Sequence, residues 1–266
     1  MTLNAHTRHC FLEQYRQVRH AEGRGSHDAA YYRALPYEDL TGQNSSMWAM
    51  RARSYRYLET KLLPKWEQVV SRPLDILDLG AGNCWMSYRL GLRNHHVTAL
   101  DIFDDPLDGL GAARWYPFSI PTIEAEFNTL PFAPDTFDLI IYNAAIHYST
   151  DYFETLGEAQ RCLRPSGRVV IIDSPVYRSR EHGVRMVAER KLTYRKKYGF
   201  ASDAMNSIEF LDEPVLQLLS KSLGLQWRVH RPWYGWHWHL RPFKAFLQRR
   251  RPPSKFWILV GSFSRP

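Results

Sequence analysis

The sequence predicts an α/β protein built on a doubly wound sheet of seven strands, mostly parallel with an antiparallel last strand. From residue 73 onward, short apolar runs alternate with amphipathic segments in β-α-β order, which is the pattern of a parallel sheet covered by helices. The first of these runs enters a glycine-containing turn at Gly80 and Gly82. The last two runs have no predicted helix between them, so they are expected to pair as an antiparallel hairpin.

Short apolar runs bounded by turn residues indicate buried strands. They occur at 74–79, 96–100, 122–127, 137–142, 168–173, 225–230 and 255–263. Helical spacing of apolar residues places helices at 85–93, 106–114, 152–163, 180–198 and 213–223. The tetrapeptide at 164–167, Arg-Pro-Ser-Gly, is predicted to be a turn.

The segment before residue 73 is expected to form a helical lid. Residues 1–44 are weakly patterned, with one helix predicted at 11–19, and a second helix begins at Ser45 or Ser46 and runs to Pro64. The domain division predicted is therefore 1–72 for the lid and 73–266 for the main domain. Cap insertions are expected in that domain at about 174–212 and 231–254.

Composition excludes several classes of protein. The 266 residues are 44% hydrophobic and 23% charged, as in an ordinary globular chain. The three cysteines form no CxxC pair, which argues against a zinc site or a disulfide framework and fits a cytoplasmic protein. The first 22 residues lack the apolar region of a signal peptide, and no membrane span is predicted. A net charge of +8 favours anionic partners without choosing among them.

The glycine turn carries two signs that it does not hold a dinucleotide. The motif G-x-G-x-x-G requires a third glycine where this chain has Trp85. Asp78 precedes the turn, where a carboxylate repels a pyrophosphate and attracts an ammonium group. S-adenosylmethionine has no phosphate and carries an ammonium and a sulfonium, so the charges favour that ligand.

A second acidic residue follows the second predicted strand. Asp101 lies 23 residues after Asp78, where a carboxylate can accept hydrogen bonds from both ribose hydroxyls of a nucleoside. Ile102 and Phe103 come next and are expected to pack on an adenine ring.

Four segments together resemble the class I S-adenosylmethionine-dependent methyltransferases, of the type 11 branch that includes the ubiquinone and menaquinone methyltransferases. They are LDLGAGN at 77–83, ALD at 99–101, AEFNTLPFAPDTFDLIIYNAAIHY at 125–148 and LRPSGRVVIID at 163–173. The resemblance covers about 75–175. It implies a Rossmann-like fold and S-adenosyl-L-methionine as cofactor.

The resemblance also implies which residues bind the cofactor. The set is Asp78, Gly80, Gly82, Asn83, Asp101, Ile102, Glu126, Phe127 and Asn143. The loop at 78–83 is expected to hold the methionine end, Asp101 the ribose, and Glu126 with Phe127 the adenine. Asn143 is expected to lie near the methyl group. The chain departs from the family at Cys84, where many members have a third glycine.

The acceptor is less constrained by the sequence, because the sulfonium already activates the methyl group and the protein mainly aligns the two reactants. His147 follows the fourth strand and is the candidate catalytic residue, as a general base or as an orienting group. An equally open alternative is that His147 only packs near the cofactor. On the lid helix, Arg51 or Arg53 is expected to meet the cofactor carboxylate.

Two regions beyond the motifs have a plain structural interpretation. The basic helix at 180–198 is expected to be a solvated face or a cap on the substrate pocket. The aromatic cluster at 233–239 is expected to pack between the last two strands. Stacking on a substrate and contact with a membrane interface are its alternatives. His237 and His239 are too few for a metal site.

The predicted function is transfer of a methyl group from S-adenosylmethionine to an oxygen or nitrogen atom of a small-molecule acceptor. An RNA methyltransferase is one alternative, suggested by charge and by aromatics near basic residues. Residues 142–146 lack the Asn/Asp-Pro-Pro-aromatic tetrapeptide of base-amino methylases, so no stable nucleic-acid partner is expected. A catalytically silent cofactor-binding protein is the other alternative.

Overall fold

A computed structural model describes residues 4–264. Its main sheet contains seven strands, named here β1 Asp75–Leu79, β2 His96–Asp101, β3 Thr122–Glu124, β4 Phe137–Asn143, β5 Leu163–Ile172, β8 Leu225–His230 and β9 Ile258–Phe263. Two further strands, β6 Val176–Tyr177 and β7 Leu211–Asp212, form a separate parallel pair.

The order of strands in the main sheet is β3-β2-β1-β4-β5-β9-β8. Strands β3 to β5 pair in parallel, whereas β9 runs antiparallel to both of its neighbours. The predicted sheet of seven strands, mostly parallel with an antiparallel last strand, is thereby confirmed. The reversal of order beside β1 brings the ends of β1 and β4 together, and ligands bind at such a switch point in open α/β sheets.

Both faces of the sheet are buried, which explains the continuous apolar runs in the sequence. Successive residues of β4 alternate between two cores: Leu139 and Ile141 belong to one, Ile140 and Tyr142 to the other. The helices that cover the sheet, in chain order, are α1 Ala5–Ala21, α2 Ala29–Ala34, α3 Ser45–Tyr57, α4 Leu63–Val70, α5 Trp85–Gly91, α6 Tyr152–Cys162, α7 Arg180–Tyr198, α8 Glu213–Leu223 and α9 Trp236–Leu247.

Several element boundaries differ from the prediction, and three of the differences change the type of structure. The lid helix does not end at Pro64: a π-helical turn at Leu58–Leu62 leads into α4, whose first turn holds the proline, where its missing N–H costs no hydrogen bond. The helix expected at 106–114 is a 3-10 helix at Leu110–Trp115, because Gly109 is extended and packed against Phe103. The turn expected at 164–167 is part of β5.

The aromatic segment near the C-terminus contains a helix that the sequence did not predict. Helix α9 carries Pro242 in its interior, and none of its residues is buried. Trp233 and Trp236 are 55% and 75% exposed, so the expectation that the cluster at 233–239 packs in the core is wrong for these two rings. Within residues 4–264, no helix is long and apolar enough to cross a membrane.

Candidate active site

A cavity of about 330 Å³ opens at the carboxyl edge of the sheet. Its floor is formed by the loops that follow β1, β2, β4 and β5, and its walls come from α1 and α3. Of the nine residues predicted to bind the cofactor, eight line this cavity; the ninth, Asp78, does not. The candidate catalytic residue His147 lines it as well.

The glycine turn is held close to the end of β2. Gly80 has φ +71°, and a Cβ built on it would fall well under 3.0 Å from the Cβ of Ala145, so only glycine fits there. The backbone amides of Gly80 and Ala81 both donate to the carbonyl of Leu100, at 2.8 and 3.1 Å. Gly82 also has a positive φ, +52°, but a Cβ added there would make only an ordinary contact, 3.7 Å from the carbonyl oxygen of Asp108.

Asp101 links the two loops through its carboxylate. It accepts a hydrogen bond from the Gly82 amide at 2.8 Å and another from the Phe103 amide at 3.0 Å. Burial raises its pKa, although these backbone hydrogen bonds act in the opposite direction. The amide of Ile102 also acts on this carboxylate, whose two oxygens together carry four lone pairs and so retain capacity to accept a ligand hydroxyl.

Asp78 lies beneath the turn and not in the cavity wall. Its Oδ2 accepts a hydrogen bond from Ser87 at 2.7 Å, whereas its buried Oδ1 has no partner among the described residues. Burial raises the pKa of Asp78 to about 7. Asp78 therefore anchors the turn to the first helical turn of α5, and its side chain lies behind the residues that line the cavity.

A chain of buried polar groups lies behind another part of the cavity wall. Asp173, directly after β5, lines the cavity and accepts a hydrogen bond from Ser54 on α3. The hydroxyl oxygens of Ser54 and Tyr234 lie 2.8 Å apart, and the Tyr234 hydroxyl lies 2.9 Å from the carbonyl oxygen of Phe256. Burial raises the pKa of Asp173 to about 6, while a nearby Arg51 and the bond from Ser54 lower it. In the sequence, Asp173 is the last residue of the segment LRPSGRVVIID at 163–173.

His147 stands beside this chain. Its Nδ1 lies 3.3 Å from the hydroxyl of Ser174. Burial, together with the positive charges of Arg51 and Arg190, lowers the pKa of His147 to about 3. The imidazole is therefore neutral at physiological pH, where it can accept or donate a hydrogen bond.

The two arginines of the predicted lid helix have different positions. Arg51 lines the cavity, with its guanidinium 5.2 Å from the ring centre of Trp48. Within residues 4–264 it forms no ion pair or hydrogen bond. Arg53 instead donates to the carbonyl of Tyr234. Only Arg51 therefore presents a free cation to the cavity.

Helix α1 contributes a wall that the sequence analysis missed. Phe11, Tyr15 and Arg19 all line the cavity, and their spacing of four places them on one helix face. The Arg19 guanidinium pairs with Asp108, and Tyr15 packs edge-on against Phe103 with ring centres 5.0 Å apart. The spacing of Phe11, Tyr15 and Arg19, four residues apart, was the signal in the sequence that could have identified this wall.

The lining fits a zwitterionic nucleoside such as S-adenosylmethionine. Two buried side-chain oxygens in the wall, Oδ1 of Asn143 and Oδ2 of Asp173, lack a hydrogen-bond partner among the described residues, and each suits a ligand donor. Arg51 suits a carboxylate. The described part of the chain contains no group of three metal-binding side chains.

Comparison with known proteins places this arrangement in a family. Residues 77–171 match the model of a methyltransferase domain. Over 97 residues the chain is 32% identical to a malonyl-[acyl-carrier protein] O-methyltransferase of Erwinia pyrifoliae, a match that covers 36% of each protein. The enzyme of the same description from Halorhodospira halophila is 29% identical over 117 residues, 43% of this chain and 40% of the relative. The matches thus span well under half of these relatives.

Solved structures show the same fold at low identity. A protein of Pyrococcus horikoshii superposes with a TM-score of 0.54 at 19% identity, covering 88% of this chain and 99% of that one. An S-adenosylmethionine-dependent methyltransferase of Mesorhizobium loti gives 0.51 at 19% identity, covering 71% and 90%. The branch within the family stays a prediction. With the sheet order, the motif order and the family match in agreement, residues 77–171 belong to the class I S-adenosylmethionine-dependent methyltransferases.

Proposed function

We propose that this chain transfers the methyl group of S-adenosylmethionine to an oxygen atom of a small-molecule acceptor. One observation carries the proposal: a single cavity joins the glycine turn and Asp101 at one end to Asp173 and His147 at the other. The first end has the features of a nucleoside site, and the second has a carboxylate with one unsatisfied oxygen. We call them the donor end and the acceptor end.

At the donor end, most of the named side chains contact the cofactor directly, and one acts through the backbone of the turn. Asp101 binds the ribose hydroxyls, Glu126 and Phe127 flank the adenine, and Asn143 lies near the reacting methyl group. Asp78 acts through the turn: its bond to Ser87 holds residues 80–83 in place. Arg51 binds the carboxylate of the methionine part, since its guanidinium lines the wall without an ion pair or hydrogen bond in the described chain, with Asp173 as its nearby acidic neighbour.

The segment 1–72 acts as the lid. Its helices α1 and α3 both contribute side chains to the cavity, and the ion pair between Arg19 and Asp108 fixes α1 on the loop after β2. The insertion at 174–212 adds Met205 to the wall. A closed cavity of this kind excludes water, which strengthens the electrostatic interactions within it.

At the acceptor end, Asp173 is a better proton acceptor than His147. When bound, S-adenosylmethionine supplies a methyl group on a positively charged sulfur, which is already activated for in-line displacement. A hydroxyl acceptor must lose a proton as its oxygen takes the methyl group. The pKa of Asp173 is raised to about 6 and suits a base at neutral pH, whereas the value of about 3 for His147 does not. His147 orients the acceptor as a neutral hydrogen-bonding group.

Oxygen is favoured over nitrogen as the accepting atom by two lines of support. Two of the curated relatives are described as O-methyltransferases of malonyl-[acyl-carrier protein]. Behind Asp173, the buried hydroxyls of Ser54 and Tyr234 hold its carboxylate in place, and the Asp173 oxygen without a partner among the described residues suits the proton of a hydroxyl acceptor.

The test follows labelled methyl groups from S-adenosylmethionine into small organic extracts, with RNA as the competing acceptor. We expect label in the organic fraction and none in RNA; label in RNA, or no transfer with any extract, would contradict the proposal. Calorimetry with S-adenosylhomocysteine tests the donor end. Arg51→Ala should weaken binding about tenfold or more, and Arg56→Ala, on the exposed side of α3, is the matched control.

A further inference from the structure

Helix α9 presents a row of large apolar side chains to solvent. Trp236, Leu240, Phe243 and Leu247 follow one another at helical spacing of three and four, so they lie on one face. Each is more than half exposed, and the neighbouring Phe246 is 78% exposed. Trp233, just before the helix, adds a further exposed ring. We call these six residues the α9 face.

The α9 face is attached firmly to the protein behind it. Trp238, on the opposite side of the helix, packs against Tyr234 and Phe256 with ring centres 5.0 and 5.3 Å away. Arg241 donates to the carbonyl of Ser254 at 2.6 Å. The contacts of Trp238 and Arg241 attach α9 to the rest of the protein. The side chains of the α9 face are therefore exposed on a helix that is held in position.

The segment that carries the α9 face has charged side chains of one sign, and two of them, Arg251 and Lys255, pair with Glu189 and Glu213 elsewhere in the chain. Residues 231–255 contain seven Lys and Arg and no Asp or Glu. Arg231, Lys244, Arg249 and Arg250 are all exposed. A contact with a second copy of this chain would bring these cations together, which is unfavourable. An anionic surface is complementary to them.

We propose that the α9 face docks on an anionic lipid surface, with its apolar side chains at the boundary between head groups and acyl chains. Tryptophan, phenylalanine and leucine on one helix face, accompanied by cations, are the features of helices that lie in the plane of a membrane interface. Acyl chains take up such side chains without requiring hydrogen bonds, and each nearby cation adds attraction to anionic head groups.

Vesicle binding by the full chain tests this proposal without using methyl transfer, so its outcome is independent of the proposed function. The probes are vesicles of phosphatidylcholine alone and of phosphatidylcholine with phosphatidylglycerol, recovered by flotation. We expect the protein to float with the anionic vesicles, less with the neutral ones, and less as salt increases. Tryptophan emission should shift to shorter wavelength on binding, since Trp233 and Trp236 leave water.

Charge placed on the α9 face should abolish the binding. The double variant Phe243→Glu, Phe246→Glu is expected to lose at least about tenfold in vesicle affinity, with an unchanged thermal unfolding midpoint because both side chains are exposed. Leu218→Glu, on α8 at a site 51% exposed, is the matched control and should bind like the parent. Replacing Lys244, Arg249 and Arg250 by Ser should remove the preference for phosphatidylglycerol.

Three results would overturn the proposal. One is equal binding of vesicles by the parent and the double Glu variant. Another is a dimer in analytical ultracentrifugation that the double variant disperses while the parent ignores vesicles, which would assign the face to a second copy. The third is binding of a purified acidic carrier protein in place of vesicles.

Discussion

The donor and acceptor ends of the cavity are built from different kinds of sequence. At the donor end, the residues follow directly after successive strands: 80–83 after β1, 101–103 after β2 and 143 at the end of β4. At the acceptor end, Ser54 and Tyr234 are 180 positions apart and still share a hydrogen bond. One end is ordered by the sheet itself, and the other by helices and loops packed above it.

The difference explains how a shared domain can serve a particular acceptor. Parallel strands bring their carboxyl ends to one edge, so a short motif after each strand is enough to assemble the donor end. The acceptor end depends mostly on segments outside residues 77–171, the part matched by the methyltransferase family: Asp173, Ser54 and Tyr234 lie outside it, whereas His147 lies inside. Variation there changes the acceptor without disturbing the cofactor site.

The largest effect is expected at the acceptor end, from Asp173→Asn. As the proton acceptor, Asp173 should contribute about 10²–10⁴-fold to kcat, while affinity for S-adenosylhomocysteine should change far less. In the parent enzyme, kcat/KM should rise with pH through about 6, because burial raises the pKa of Asp173 to about that value and only its deprotonated form accepts the proton.

The pH profile distinguishes the two candidate groups. His147→Asn should keep the inflection near pH 6, because the pKa of His147 is about 3 and it does not titrate there. If the inflection survived in Asp173→Asn and vanished in His147→Asn, His147 would be the proton acceptor and Asp173 the orienting group.

At the donor end, the largest effect is expected from Gly80→Ala. The new Cβ would meet Ala145 at a distance that real atoms do not show, in a backbone with φ +71°. We expect a loss of about 2–5 kcal/mol in the free energy of unfolding, the sum of left-handed strain and overpacking, measured by urea denaturation. Gly42→Ala is the control, since Gly42 has φ +70° and no atom within 4 Å of the added carbon.

The comparison isolates the close approach of the turn to the loop after β4. Gly42→Ala should cost only the strain of a left-handed residue, about 1–2 kcal/mol. Equal losses in the free energy of unfolding for Gly80→Ala and Gly42→Ala would mean that the close contact with Ala145 does not determine the conformation of the turn.

Asp101→Asn should have a smaller effect, mainly on the cofactor, although the amide NH2 group must face the N–H of either Gly82 or Phe103 and so also loosens the loop. The substitution keeps the shape of the side chain but removes its charge, so hydrogen bonds to ribose hydroxyls lose about 1.5–3 kcal/mol. Calorimetry with S-adenosylhomocysteine should show a loss of about 10–100-fold. Asp104→Asn, at the exposed neighbour, should bind like the parent; a similar loss there would point to the charge of the whole loop.

Most of the sheet was predictable because it is buried on both faces. A nearly continuous apolar run marked β4, and helix α7 began and ended where its pattern predicted. The C-terminal helix α9 was not predictable in the same way: Pro242 breaks the pattern, and its apolar side chains face solvent. A pattern that assumes burial cannot identify a helix whose apolar face has no partner within the described chain.

The site was predictable to the extent that it follows the strands. Eight of the nine residues predicted to bind the cofactor line the cavity. The ninth, Asp78, is buried beneath the turn, because the alternation of side chains along β1 points it under the loop. The contribution of Ser54 and Tyr234 depends on tertiary packing between distant segments, and no spacing in the sequence reports it. Which of Arg51 and Arg53 lines the cavity depends on the direction in which α3 faces the sheet, and the sequence does not report that direction.

The smallest effect concerns Cys84, where the chain departs from its family. The structure gives Cys84 φ +61°, so the position is left-handed and favours glycine even though the thiol is buried. We expect Cys84→Gly to be at least as stable as Cys84→Ala, within about 1 kcal/mol of the parent, since glycine removes about the strain that alanine keeps. The fully buried Cys162, in helix α6, is the control: there Gly should be less stable than Ala by roughly 0.5–1 kcal/mol. Denaturant titrations of the four variants measure the two differences. The same order at both positions would show that the left-handed turn at residue 84 carries no measurable strain, and that the third glycine of the family serves some purpose other than backbone geometry.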